Sequence, residues 1–295
     1  AGKTDIAVEL AEHNGFEIIS VDSALVYRGL DIGTAKPDAD TLARASHFLI
    51  DIRDPAESYS VAEFVRDADQ LITEIHQRGH IPLLCGGTML YFRALTVGLS
   101  ELPSADDKIR QELTAQAEAV GWESMHAQLR QVDPDAAARI HPNDPQRIQR
   151  ALEVYRVTGI SMTSWQQQNP PKGLAYPYRH LVIAPQDRSL LHHRIEQRFD
   201  QMLQRGFVDE VRQLRARNDL SLEKPAMRAV GYRQVWRYLD GEYSLEEARL
   251  RGIYATRQLA KRQYTWLRGM KHGKWYDPNY PVEIERLKDE ISRDA

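Results

Sequence analysis

One cysteine, Cys85, in 295 residues excludes an intrachain disulfide framework and any multi-thiolate zinc site. Packing alone has to hold the fold. Long apolar runs are missing as well: no stretch approaches the roughly 18 uninterrupted apolar residues that span a bilayer, and no signal-peptide pattern appears. The expectation is a cytoplasmic protein with no membrane partner. The ten histidines show no metal-ligand spacing, and there is no internal repeat or low-complexity tract. Net charge is small too, −3, which on its own points neither to nucleic acid nor to an acidic substrate. What the chain does have is 42% hydrophobic residues, enough for a sizeable core in one large or two moderate domains.

The distribution of charge says more than its sum. Between Ala248 and Tyr276 stand Arg249, Arg251, Arg257, Lys261, Arg262, Arg268, Lys271 and Lys274, with no Asp or Glu among them. Such a local basic field suits a phosphate-rich partner. A solvated helix face beside an acidic neighbour accounts for it equally well.

Apolar spacing predicts a helix over Asp5–Ala11, a buried strand over Phe16–Val21 ending at Asp22-Ser23, a helix from Ser60 to Arg78, a strand over Ile81–Cys85 and a helix over Met89–Leu95. Strand, helix and strand with turn residues at the strand ends is the pattern of a parallel α/β sheet. Such sheets bind ligands beyond the carboxyl ends of their strands. From Leu102 to Lys172 the texture becomes helical: Ala105–Val120, Trp122–Val132, Asp135–Ile140 and Pro145–Thr158, with Gln166–Pro171 the nearest thing to a linker. Strand character returns over His180–Ala184, followed by helices over Leu190–Arg217, Met227–Leu239 and Ser244–Leu267. The expected organisation is therefore a core of residues 1–101 and 173–295 interrupted by a helical insertion, 102–172.

Gly2-Lys3-Thr4 leads straight into the first helix. Backbone N–H groups and the helix dipole favour an anion there, Lys3 adds a full charge, and the Thr4 hydroxyl can ligate Mg²⁺. It reads as the second half of a phosphate loop, G-x-x-x-x-G-K-[ST], so a strand and the first half of the loop are expected upstream of Ala1. Asp22, at a strand end, is a candidate to hold Mg²⁺ through water or to act as general base, with a plain turn aspartate as the alternative. Gly86-Gly87-Thr88 is a second place where backbone can approach an anion, or an ordinary strand-to-helix turn. Arg147 and Arg150, three apart beside Gln146, can grip phosphates. Arg228 and Arg233 flank Gly231 and Tyr232, and Arg257, Lys261, Tyr264 and Arg268 recur at helical steps. Aromatics beside cations suit single-stranded RNA; each group alone is equally a solvated helix face.

Ser20-Val21-Asp22-Ser23-Ala24-Leu25-Val26-Tyr27-Arg28-Gly29-Leu30-Asp31-Ile32-Gly33-Thr34-Ala35-Lys36-Pro37 resembles a signature of bacterial tRNA dimethylallyltransferases, also called isopentenyltransferases. Further similar stretches follow in the family's order: His47–Pro55, Gly86–Tyr91, Leu102–Asp106, His141–Arg147 with Arg150–Val154, Ala229–Gln234 and Thr256–Gln263. The resemblance spans nearly the whole chain. It implies a P-loop NTPase or kinase-like parallel-sheet core with an inserted all-helical subdomain that contacts tRNA. It further implies transfer of a dimethylallyl group from dimethylallyl diphosphate to the N6 amine of the adenosine 3′ to the anticodon, with Mg²⁺ as cofactor and a monomer binding the tRNA anticodon stem-loop. Carried over residue by residue, Asp22 becomes the base, Thr88 touches the bridging oxygen, and Gly2, Lys3 and Thr4 cradle the diphosphate. Arg233 or Arg228 supplies a further positive charge. The tRNA-facing residues become Asp22, Ser23, Ala24, Leu25, Thr88, Arg110, Gln146, Arg147, Arg150, Arg228, Gly231, Tyr232, Arg233, Arg257, Gln258, Lys261 and Arg262. Two rivals remain from the residues alone: a small-molecule or nucleotide kinase, and a non-catalytic RNA-binding module.

Overall fold

Helix α1 (Lys3–Asn14) begins after Gly2 and stops at Gly15, both in the left-handed region (φ 73° and 66°) where glycine costs nothing sterically. A computed structural model describes residues 2–270 and 273–294. Next come β1 (Phe16–Val21), α2 (Ala39–Arg44), β2 (His47–Phe48), α3 (Val61–Gln77), β3 (Ile81–Gly86) and α4 (Met89–Thr96). The strands form one parallel sheet in the order β2-β1-β3. All six residues of β1 are buried, as the central position demands. Its register with β3 runs unbroken from Phe16 opposite Ile81 to Val21 opposite Gly86. Helices α1 and α3 both pack on β1 and β3. A full capping box starts α3, with Ser60 Oγ accepting from the Glu63 amide and the Glu63 carboxylate accepting from the Ser60 amide.

Residues 96–174 form a separate compact unit, the remainder of the chain another. Apart from the end of α4, that unit is helical: α5 (Asp107–Val132), α6 (Pro134–Arg139), α7 (Pro145–Thr158) and α8 (Met162–Gln168). Gly121 (φ 79°, ψ 155°) breaks α5 into the two segments that the sequence separates at the same point. Leu113, Met125, Leu129, Ile148 and Leu152 build its core. The expected linker is in part helix: Gln166–Gln168 belong to α8, which Ser161 caps and Asn169-Pro170 ends.

The larger unit resumes with β4 (Leu181–Ile183), α9 (Arg188–Gln204), α10 (Phe207–Arg215), a 3₁₀ turn (Ala226–Arg228), α11 (Tyr232–Leu239), α12 (Leu245–Arg268), β5 (Lys274–Tyr276) and α13 (Pro281–Asp294). Strands β4 and β5 pair in parallel as a second small sheet. Two helices expected whole are broken by glycines that adopt positive φ. Gly206 (φ 96°) separates α9 from α10, and Gly231 (φ 95°) separates the 3₁₀ turn from α11. Phe199 on α9 lies against α12 so closely that a Cβ at Gly252 would stand 2.3 Å from its ring. No helix among the described residues is long and apolar enough to cross a membrane.

Candidate active site and nucleic-acid face

The carboxyl ends of β1 and β3 deliver Asp22 and Gly86-Gly87-Thr88 side by side, because Val21 and Gly86 are register partners. The amides of Gly87 and Thr88 both donate to the Val21 carbonyl at 3.1 Å. A Cβ at Gly86 would fall 2.0 Å from that oxygen, so this position requires glycine. Thr88 Oγ1 accepts from the Ser23 amide at 3.0 Å and lies 3.3 Å from Ser23 Oγ. Asp22 is half-buried, and its Oδ1 accepts from the Ala24 amide at 2.9 Å. Among the described residues that is its one hydrogen bond, which orients the carboxylate and leaves Oδ2 unbonded.

The start of α1 approaches the same point. Cys85 Sγ lies 3.9 Å from the Lys3 carbonyl oxygen. Burial pushes the Cys85 thiol pKa up, while the Lys3 ammonium pulls it down and the Asp22 carboxylate pushes it up further. All three groups therefore share one electrostatic neighbourhood. Gly2, Lys3 and Thr4 stand at the positive end of the α1 dipole there.

Arg198, on α9, belongs to this neighbourhood and was missed in the sequence. It is open to solvent yet surrounded closely enough that desolvation lowers its pKa, while the Asp22 carboxylate pulls the other way. Its guanidinium lies within electrostatic reach of the Asp22 carboxylate, which makes it a third candidate for the further positive charge. Only its position on a long, unremarkable helical pattern was visible beforehand. The two arginines proposed for that role lie differently. Arg228 is half-exposed and pairs with Glu223 at 2.7 Å, and Arg233 is exposed on α11.

Tyr232, expected to face RNA, is wholly buried. Its hydroxyl donates to Glu210, and its ring packs edge-on against Phe207. Gly231 is buried with it, since a Cβ there would meet Phe207 at 3.2 Å. Neither is placed to touch a nucleobase. Tyr264 is half-buried and donates to the Pro185 carbonyl; Tyr254, in contrast, is 65% exposed on the same helix.

The basic field on α12 is partly neutralised, as the acidic-neighbour reading allowed. Glu196 and Asp200 of α9 take Arg249, Glu196 also takes Arg257, and Glu247 takes Arg251. Lys261, Arg262 and Arg268 remain exposed with no ion pair among the described residues. Gln258 is half-buried, and Lys271 lies outside the described residues. Near the start of the chain, Ser23 is exposed while Ala24 and Leu25 are half-buried.

Within the helical unit, Glu153 is fully buried and accepts from Arg110 Nε (3.0 Å), Arg150 Nη1 (2.8 Å) and the Asp106 amide (2.8 Å). Arg150 also donates through Nη2 to the Pro103 carbonyl at 2.5 Å. Arg150 is thus chiefly engaged inside the unit. Arg110 keeps both Nη groups for another partner. Gln146 and Arg147 are exposed, Arg147 at 72% with a loose 3.4 Å pair to Asp144. Among the described residues no group of three or more His, Cys, Asp or Glu side chains is arranged to hold a metal.

A parallel sheet whose strand ends meet an N-terminal helix dipole, together with a helical insertion, defines an α/β protein of the P-loop nucleoside-triphosphatase type. Comparison with known proteins narrows this class. The profile of the family described as IPP transferase matches residues 25–270. The full-length tRNA isopentenylpyrophosphate transferase of Bacillus halodurans is 39% identical, with 99% of this chain and 92% of that one covered and a TM-score of 0.71. The tRNA delta(2)-isopentenylpyrophosphate transferase of Staphylococcus epidermidis is 30% identical over 99% and 94% of the two chains, TM-score 0.68. A eukaryotic dimethylallyltransferase acting on tRNA is 27% identical over 99% of this chain and 76% of its own, TM-score 0.84. The chain belongs to the IPP transferase family, a family of prenyl-transferring enzymes.

Proposed function

We propose that this chain transfers a dimethylallyl group from dimethylallyl diphosphate to the exocyclic N6 amine of the adenosine immediately 3′ of the anticodon in tRNA, releasing diphosphate. It does so as a cytoplasmic monomer whose macromolecular partner is the tRNA anticodon stem-loop. The observation that carries this reading is the placement of Asp22 and Thr88 on adjacent strand ends, beside the start of α1.

An adenine amine is a poor nucleophile because its lone pair is delocalised into the ring, so both a positioned base and a stabilised leaving group are needed. Asp22 Oδ2, free of the local turn, accepts the N6 proton as N6 bonds to the prenyl C1. The C1–O bond breaks, and its electron pair leaves with the diphosphate. Thr88 donates to the bridging oxygen, while Lys3, the α1 amides and Arg198 neutralise the departing charge. Of the three candidates for the further positive charge, Arg198 is the one within reach of the Asp22 charge, so it is given that role ahead of Arg228 and Arg233. Half-buried Thr4 on the first turn of α1, with no carboxylate cluster beside it, suits a cation that arrives with the diphosphate. Mg²⁺ held by Thr4 and phosphate oxygens would supply further charge neutralisation. To reach the carboxylate the base must leave its stack, a cost of roughly a few kcal/mol that is least in loop RNA. Exposed Gln146 and Arg147, the open fork of Arg110, and Lys261 and Arg262 are the contacts left for the backbone. Buried Tyr232 and Gly231 are not among them.

The test is mass analysis of tRNA after incubation with labelled dimethylallyl diphosphate. One prenyl addition on one adenosine is expected. Phosphate transfer from ATP with unlabelled RNA would favour the kinase. Asp22→Asn is expected to slow transfer by about 10²–10⁴ with tRNA affinity largely kept; a full rate would remove Asp22 as the base. A non-catalytic module predicts no covalent product from any variant.

A further inference from the structure

The side chain of Gln263, on α12, is not directed to solvent with its neighbours Lys261 and Arg262. It is half-buried, and its Nε2 donates to the Gly87 carbonyl at 2.8 Å. The fit is close. A Cβ at Gly87 would stand 2.7 Å from that Nε2, and within 4 Å it would meet no atom outside the same amide. Gly87 has no positive φ. A glycine there is thus explained by the approach of the glutamine rather than by the turn.

The turn needs such a partner. Gly86 and Gly87 carry no side chains, so nothing of their own fixes the path of the backbone into Thr88. On one side the turn is tied to the Val21 carbonyl through the amides of Gly87 and Thr88. On the other side the tie is Gln263. From Thr88 the connection continues to the Ser23 amide, and the residue between Val21 and Ser23 is Asp22. Hydrogen bonds and the backbone between them therefore link the helix carrying Lys261 and Arg262 to the Thr88 hydroxyl and to the segment that bears Asp22.

We infer that Gln263 is a positioning residue for the prenyl transfer: by anchoring the Gly87 carbonyl it holds the Thr88 hydroxyl in register with the leaving-group oxygen, without itself touching either substrate. The inference rests on the functional reading above and extends it. A glutamine fits the task because its amide donates to a carbonyl at this reach. A carboxylate of the same length would repel that oxygen, and an asparagine would fall short.

The experiment measures single-turnover transfer from labelled dimethylallyl diphosphate to tRNA, tRNA affinity across salt, and thermal midpoint, for the unaltered chain, Gln263→Met, Gln263→Ala, Gly87→Ala and the double variant Gly87→Ala/Gln263→Ala. Gln263→Met is expected to lower the single-turnover rate by about tenfold to a hundredfold, the scale of an ångström of misplacement, with tRNA affinity and its salt slope unchanged. Gly87→Ala loses a similar factor, because its methyl displaces the amide. In the Gln263→Ala background the same methyl costs nothing more, since the obstacle is gone. If Gln263→Met melts early, Gly87→Ala and the double variant carry the test alone. A wild-type rate in Gln263→Met or Gly87→Ala, or losses that multiply in the double variant, overturns the inference. Absence of any prenylated tRNA from the unaltered chain sinks the functional reading and this inference together.

Discussion

The Tyr232 hydroxyl donates a 2.5 Å hydrogen bond to the Glu210 carboxylate. Glu210 also accepts from the amides of Asp31, Ile32 and Gly33 at 3.1, 2.7 and 3.2 Å, so one carboxylate ties α10 and α11 to the loop that follows β1. Burial, then the Glu210 charge, drives the Tyr232 pKa far up, and the phenol stays a donor at any working pH.

Tyr232→Phe removes a buried bond to a charged acceptor and is expected to destabilise the protein by about 1.5–3 kcal/mol. Denaturant unfolding measures it. Transfer and tRNA affinity below the unfolding range stay near normal. A large drop in tRNA affinity with unchanged stability would return Tyr232 to the RNA surface.

Arg198→Met is expected to slow transfer by roughly 10²–10³, the scale of one lost charge-stabilising donor, while tRNA affinity holds. Arg233→Ala, on an exposed helix face, leaves the single-turnover rate close to wild type. Rapid-quench measurement with saturating donor separates the two. The reverse ranking would restore Arg233 to the diphosphate.

The contrast between these arginines shows what the sequence could convey. Strand β1 was legible to the residue, because six apolar-patterned positions bounded by Gly15 and Asp22 admit little else. Apolar spacing between Ser60 and Arg78 announced α3, and the reciprocal cap of Ser60 and Glu63 explains where it starts. The helix breaks at Gly206 and Gly231 were not legible, since a glycine inside an apolar period is tolerated as often as it interrupts. Asp22 and Thr88 stood out as candidates because strand ends and glycine turns have local signatures. Arg198 has none: its nearness to the Asp22 charge arises only on folding, between elements distant in sequence. Tyr232 beside Arg233 looked like an RNA platform in one dimension, but successive helix residues point about 100° apart, and one is core while the other is surface.

Arg147→Ala is expected to weaken tRNA binding and to reduce the slope of log affinity against log salt by about 1, as the loss of one phosphate contact does. Arg150→Ala behaves differently. Its guanidinium serves Glu153 and the Pro103 carbonyl, so its loss costs about 2 kcal/mol of stability, below the usual figure for a broken buried pair because Arg110 remains. Filter binding at several salt concentrations, beside thermal melts, distinguishes them. Equal salt slopes for the two variants would contradict the assignment.

Glu153 also sets an acid limit. Burial raises its pKa, but the bonds from Arg150, the Asp106 amide and Arg110 outweigh burial and hold it below the ordinary glutamate value. A carboxyl depressed in the folded state stabilises fully above its unfolded pKa, near about 4.3, and that contribution disappears as pH falls through the folded value. Stability measured from pH 6 down to pH 3 is therefore expected to fall more steeply for the unaltered chain than for Glu153→Gln. Parallel curves would show that the carboxylate makes no such contribution.

The pairing of Val21 with Gly86 has a last consequence. Asp22 and Thr88 follow those partners by one and two residues, so the ladder between β1 and β3 brings them to one end of the sheet, and the Gln263 bond to Gly87 then fixes the turn into Thr88. A slip of one residue would turn the carboxylate to the opposite face of the sheet, an error that no adjustment of α12 could repair. Heating that melts this ladder therefore ends the chemistry even where α12 persists.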